Sequence, residues 1–230
     1  FVDLAENNLQ VFSREFVNLL FQICTNVEAT FRGMLYSHYL DSNKKAIAAR
    51  EKDKDAKAAK DKGQRVYQLN ITDYRAVFEN FYKLSSCEVI IAPRSIRLSS
   101  VPYQEFPKKS PAWWQVYNEV KHDLAGNFEE ATLKRVLDSL AGLFLLNVIH
   151  LDARNFLIEN KVLKEFDAER EAHPGTFKAE QLKEKFATKQ HFDINVPDCV
   201  VFTSKLFLFQ PGKCGETWDQ RNLYWFRYIN

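Results

Sequence analysis

The sequence predicts a mainly α protein: a helical bundle with a small C-terminal antiparallel β appendage. Three observations carry this expectation. Apolar residues recur at helical spacing across the first 40 residues, around residues 111–124 and across residues 128–150. Runs of β-branched and aromatic residues gather only after residue 198. Glycine and proline number just seven each in 230 residues, too few for the many tight turns of a β-sandwich.

Composition sets the outer limits. At 46% hydrophobic and 14% aromatic, with 19 phenylalanines against one methionine, the chain has ample material for one core and a small second lobe. We therefore expect a helical bundle over residues 1–160, including a charged extension at 43–65, and a C-terminal helix plus β region over 161–230. A net charge of +2 does not by itself point to nucleic acid.

The first helix is expected over 13–40, capped by Ser13. Its apolar stripe runs Phe16, Leu20, Ile23, Cys24, Val27, Phe31, Met34 and Leu35. Glu28 reads either as a buried acid facing a neighbouring helix or as a pair with Arg32 one turn on, the cheaper arrangement. Residues 43–65 follow with nine Lys or Arg and four acids, and few large apolar groups. This stretch reads as a solvated helical extension or a loop.

Thr72 is the expected cap of a short helix reaching about Leu84, with Tyr74, Val77, Phe78 and Phe81 inward. Residues 88–91 and 95–98 read as short extended pieces broken by Pro93. Ser110 and Pro111 suit the N-cap and first turn of a helix whose inner face is Trp113, Val116, Tyr117, Val120 and Leu124. Asn127 and Glu130 resemble a capping box before the most apolar helix of the chain, with Val136, Leu137, Leu140, Phe144, Val148 and Leu151 deepest. Its longest apolar run, Leu140 to Ile149, is well short of the roughly 20 residues of a membrane span, so no membrane partner is expected. Beyond it, a helix is expected around 177–186. Strands are expected at 199–203 and 206–209, with a Pro211-Gly212 turn and a last run at 223–226.

Cys24, Cys87, Cys199 and Cys214 are far apart, and no pair has the spacing of a metal knuckle, so neither metal nor cofactor is expected. With no signal peptide visible, reduced thiols in a cytoplasm are the simpler reading. Gly-rich phosphate loops, the G-x-S-x-G elbow and HExxH are all missing from the sequence.

The candidate site lies on the helix after Pro111. Asn118 and His122 are four residues apart on the side opposite the Trp113, Val116, Tyr117 and Val120 face, with Lys121 at the margin. His122 reads either as a proton carrier, since imidazole titrates near neutral pH, or as a half-exposed side chain bonded to a neighbour. Trp113 and Trp114 either stack on bases or anchor the helix start in the core. Lys44, Lys45 and Arg50 could grip phosphates or line a solvated face. His38, His150, His173 and His191 read as capping or packing residues.

The Tyr117-Asn118-x-x-Lys121-His122 cluster resembles the motif of the HEPN superfamily, small helical bundles that include many metal-independent RNases. The family motif is an Arg, usually a polar residue, then a His four to six positions after the Arg. Asn118 takes the polar position and His122 the histidine, while Tyr117 stands where the family has Arg. Lys121 carries a positive charge but leaves the helix at a different angle from position 117 and lacks the bidentate fork of Arg. The resemblance implies a homodimer whose motif helices share a cleft, in a bacterial-type defence or toxin system with RNA as substrate. An antitoxin or regulatory protein is an implied partner. The implied catalytic set is His122, Asn118 and Lys121, with Lys121, Lys44, Lys45 and Arg50 contacting RNA. An inert dimerisation or nucleotide- or RNA-binding module is the alternative.

Overall fold

The computed structural model describes residues 5–63, 69–91, 98–167 and 200–209, which form seven α-helices and five short strands. Helix α1 (Arg14–Leu35) begins at Ser13, whose hydroxyl accepts from the Phe16 amide as expected. The expected stripe is buried along its length, except that Phe16 is half-buried and Val17 joins the core. The helix stops five residues earlier than expected. A short 3-10 turn (His38–Leu40) redirects the chain, and Asn43 then caps a separate helix, α2 (Lys44–Asp61). The charged extension is thus a helix packed against its neighbours.

Helix α3 (Ile71–Tyr82) is capped by Asn70, not Thr72. Asn70 accepts from the Thr72 and Asp73 amides while the Asp73 carboxylate accepts from the Asn70 amide, a reciprocal capping box. Tyr74, Val77 and Phe78 point inward as expected, but Tyr82 takes the deep position and Phe81 the partly buried one. Phe31 of α1 stacks between Tyr74 and Phe78, with ring centroids 5.2 and 5.1 Å away.

Helix α4 (Ala112–His122) leads through a four-residue turn, α5 (Leu124–Asn127), to the central helix α6 (Leu133–Ile149). The expected Asn127–Glu130 capping box does not form. Thr132 is the cap, accepting from the Arg135 amide, and the Leu133 and Lys134 amides donate to the Val11 and Leu9 carbonyls. The N-terminal segment thereby satisfies amides that a helix start leaves unpaired.

Helix α6 packs against α1 and α4 on one side and against the sheet on another. Ala141, Leu145, Leu146, Val148 and Ile149 are buried, whereas Leu140 and Phe144 are only partly so. A single-stripe reading misjudged those two because α6 is covered on more than one face. At His150 the chain turns by 97° into α7 (Leu151–Glu159); Leu151, expected among the deepest positions, is partly exposed there. The His150 imidazole caps α7 by accepting from the Ala153 amide, as a capping role predicts. Among the described residues no single helix is long and apolar enough to cross a membrane.

The strands are β1 (Val89–Ile91), β2 (Leu98–Ser100), β3 (Lys164–Asp167), β4 (Val200–Thr203) and β5 (Phe207–Phe209). They form one antiparallel sheet in the order β2-β1-β5-β4-β3. The late β runs are therefore not an appendage of their own. β5 is the middle strand and pairs Ile90 with Leu208 and Ile91 with Phe207. The sheet joins strands from both sides of the expected boundary at residue 160. Phe207 stacks on Phe144 of α6 at 5.3 Å, which ties sheet to bundle. The expected helix at 177–186, the Pro211-Gly212 turn, the run at 223–226, residues 95–97, Pro93, Cys199, Cys214, His173 and His191 lie outside the described residues.

Candidate functional site

The site is built on α4, which is fixed first by its tryptophans. Pro111 occupies the cap position without a side-chain bond, so Ser110 does not cap as expected; its carbonyl accepts from Gln115 Nε2 at 2.6 Å instead. Trp113 Nε1 donates to the Pro102 carbonyl at 2.8 Å. The Trp113 ring meets Tyr103 edge-on at 5.7 Å and Trp114 at 5.8 Å. Both indoles are buried, so they anchor the helix and offer no platform for bases.

The aromatic wall continues to the position where the resemblance calls for Arg. Tyr117 is 7% exposed and wedged between Trp114 and Phe21 of α1, at 5.3 and 5.4 Å. Lys121 lies one turn further, and its Nζ sits 5.5 Å over the Tyr117 ring. The different angle at which Lys121 leaves the helix is thus offset by its length. A positive charge is held above residue 117, attracted by the π face.

Asn118 is half-buried, and Lys121 and His122 are exposed on the same edge, as helical phase requires. Among the described residues neither the Asn118 amide nor the His122 imidazole makes a side-chain hydrogen bond. The edge is open, but it is not uniformly basic, because Glu119 and Asp123 are also exposed. The last turn of α4 is braced from outside. Asn127 Nδ2 donates to the Asp123 carbonyl at 2.9 Å and the Glu119 carbonyl at 3.5 Å, and the Asp123 carboxylate accepts from the Gly126 amide. Lys121 and His122 also lie where the negative end of the helix dipole favours cations.

The other expected RNA contacts are elsewhere. Lys44 and Lys45 are exposed at the start of α2. The Arg50 guanidinium is engaged with the end of α1: Nε donates to the Leu35 carbonyl (2.6 Å), Nη2 to the Ser37 carbonyl (2.8 Å) and Nη1 to Asp41 (2.7 Å). Leu35 and the Phe21 contact of α4 are separated by about 20 Å along α1, at 1.5 Å per helical residue. The structure therefore brings Asn118, Lys121 and His122 together and leaves the α2 residues apart from them.

A second polar cluster was not anticipated. Asp53 is 2% exposed, although the sequence places it in a run that reads as solvated. Its carboxylate accepts from the Tyr36 hydroxyl and from Lys57 Nζ, both at 2.8 Å, and lies 3.8 Å from Arg32 Nε. Arg32 is thus paired with Asp53 and not with Glu28, as the one-turn spacing had suggested. One signal was present: Ala46, Ala49, Asp53 and Ala56 form a stripe of small residues, and its one charge faces inward.

No known protein family, curated protein or solved structure matches this chain.

Proposed function

We propose that this chain is a HEPN-like helical module of a bacterial-type defence or toxin system, acting on RNA as a metal-independent endoribonuclease from a homodimer. The observation that supports it best is the open edge of α4, where Asn118, Lys121 and His122 stand together and the Lys121 ammonium covers position 117. In the proposed step a ribose 2′-hydroxyl gives up its proton to one imidazole and attacks the adjacent phosphorus. The P–O5′ bond breaks, and the departing 5′ oxygen takes a proton from a second imidazole that enters the step protonated. His122 of the two protomers would fill these two roles, leaving a 2′,3′-cyclic phosphate and a 5′-hydroxyl. Lys121 would neutralise the developing charge on the phosphate oxygens, and Asn118 would orient the phosphate or the imidazole. A cytoplasmic setting and an antitoxin or regulatory partner go with this reading.

A second reading, an inert dimerisation or nucleotide- or RNA-binding module, is favoured by one observation. Position 117 is locked in the core, and Glu119 and Asp123 flank the edge. Incubating the protein with total tRNA and mRNA beside a folded His122→Ala control separates the two. Cleavage by the wild type alone supports the nuclease. RNA retained intact supports the binding module.

A further inference from the structure

The helix α2 is attached differently from α1, against which it packs. Its buried residues are Ala46, Ala49, Asp53 and Ala56, and Ile47, its only large aliphatic residue, is exposed. By contrast α1 buries eight large apolar side chains or thiols along one face. Apolar burial scales with area, so α2 gains little from the hydrophobic effect where it docks.

Its ties are polar instead. Asp53 accepts from Tyr36 at the end of α1 and lies 3.8 Å from Arg32, Lys52 Nζ reaches Asp73 of α3 at 2.7 Å, and Arg50 holds the end of α1 and the turn that follows; Lys57 pairs with Asp53 within α2 itself. The closure is imperfect underneath. Arg32 Nε and the hydroxyl of fully buried Tyr74 have no hydrogen-bond partner among the described residues. Exposed Lys44, Lys45, Lys54 and Lys60 of α2 are interspersed with exposed Glu51, Asp55 and Asp61.

We propose that α2 is a detachable strap, held to α1 and α3 by a polar latch centred on Asp53, which opens as a unit while α1, α4 and α6 stay packed. Opening swings the most basic segment of the chain free and brings the buried Asp53 carboxylate into solvent. The Lys52–Asp73 pair reaches the surface and is screened by salt, buried Asp53 is screened less, and the apolar contacts of α1 and α6 are not screened, so rising ionic strength loosens α2 before it loosens α1 or α6.

Hydrogen exchange of the full chain, read by mass spectrometry between about 0.05 and about 1 M NaCl, tests this. Amides of 44–61 are expected to exchange ~10-fold or more faster than those of 133–149, and the gap should widen with salt. Asp53→Asn should speed exchange in 44–61 and leave 133–149 unchanged. Equal protection of the two segments at every salt concentration overturns the strap. So does a folded Asp53→Asn protein whose 44–61 exchange matches the wild type. Should that variant fail to fold, the wild-type salt series decides alone.

Discussion

At the scale of single residues, α4 is fixed by aromatic packing, and Tyr117 belongs to that packing. Replacing it with Arg, the residue that the HEPN-like motif would place there, puts a guanidinium between Trp114 and Phe21. Burying an unpaired charge is strongly unfavourable. Tyr117→Arg is therefore expected to lower stability by about 3 kcal/mol or more without raising RNA cleavage. Chemical denaturation read by tryptophan fluorescence measures the first part. The neighbouring contact at Gly142 is equally tight. A Cβ there would sit 3.2 Å from the Tyr103 hydroxyl and 3.3 Å from the Trp113 ring. Tyr103 is itself fully buried, and its hydroxyl donates to the Gly142 carbonyl. Gly142→Ala should then destabilise by about 1–3 kcal/mol despite the better helix propensity of alanine. An unchanged or raised melting temperature would show that the rings yield.

At the scale of elements, caps and latches decide where helices begin and how firmly they hold. The cap of α3 is Asn70, two residues before the expected Thr72, and that of α6 is Thr132, five residues after the expected Asn127, because several Asx and Thr residues lie near each helix start and any could serve. Only the backbone path selects among them. The α1 stripe was legible because one face of α1 is buried and the other is not. The α6 pattern was less so, because Phe207 and the sheet cover a flank that the periodicity treats as outside. Asp53 was illegible for a different reason: a charged residue in a Lys- and Ala-rich run is read as solvated, and only the approach of Tyr36 and Arg32 buries it.

The same cluster gives a pH prediction for α2. Burial raises the Asp53 carboxyl, but the hydrogen bonds from Lys57 and Tyr36 and the charges of Lys57 and Arg32 outweigh it and hold it below the ordinary carboxylate range. Tyr74 and Glu28 complete the charged and titratable surroundings of Arg32. A folded-state value below the unfolded one contributes stability that is present above pH of about 4 and is lost as the pH falls through the lower, folded value. The protection factors of amides in 44–61, referred to the intrinsic exchange rate at each pH, should therefore fall on acidification below pH of about 4, earlier than those of 133–149. Protection factors in 44–61 that stay level down to global acid unfolding would show that Asp53 contributes nothing to the latch.

At the scale of the whole molecule, the helical bundle and the grouping of Asn118, Lys121 and His122 could be read from the sequence. One helix carries all three, so local phase alone places them on one edge. The sheet could not be read as it is. Its middle strand at 207–209 pairs with residues more than a hundred positions earlier, and a three-residue strand carries no signal of its partner. The proposed chemistry needs two imidazoles, and each chain offers one on the open edge, so assembly is part of the proposal. Light scattering at tens of micromolar, about the range in which a modest interface associates, should give a dimer. A monomer under those conditions would remove the second imidazole and with it the two-histidine step.

The central claim is tested most directly by a defined RNA oligonucleotide and its 2′-deoxy analogue, each incubated with wild-type protein and with folded His122→Ala in excess EDTA. Products are identified by mass spectrometry. The proposed reaction predicts a 2′,3′-cyclic phosphate terminus from the RNA with the wild type alone, a smaller yield with Lys121→Ala, and no product from the 2′-deoxy analogue. An RNA left intact by the wild type, or cut equally by His122→Ala, would contradict it.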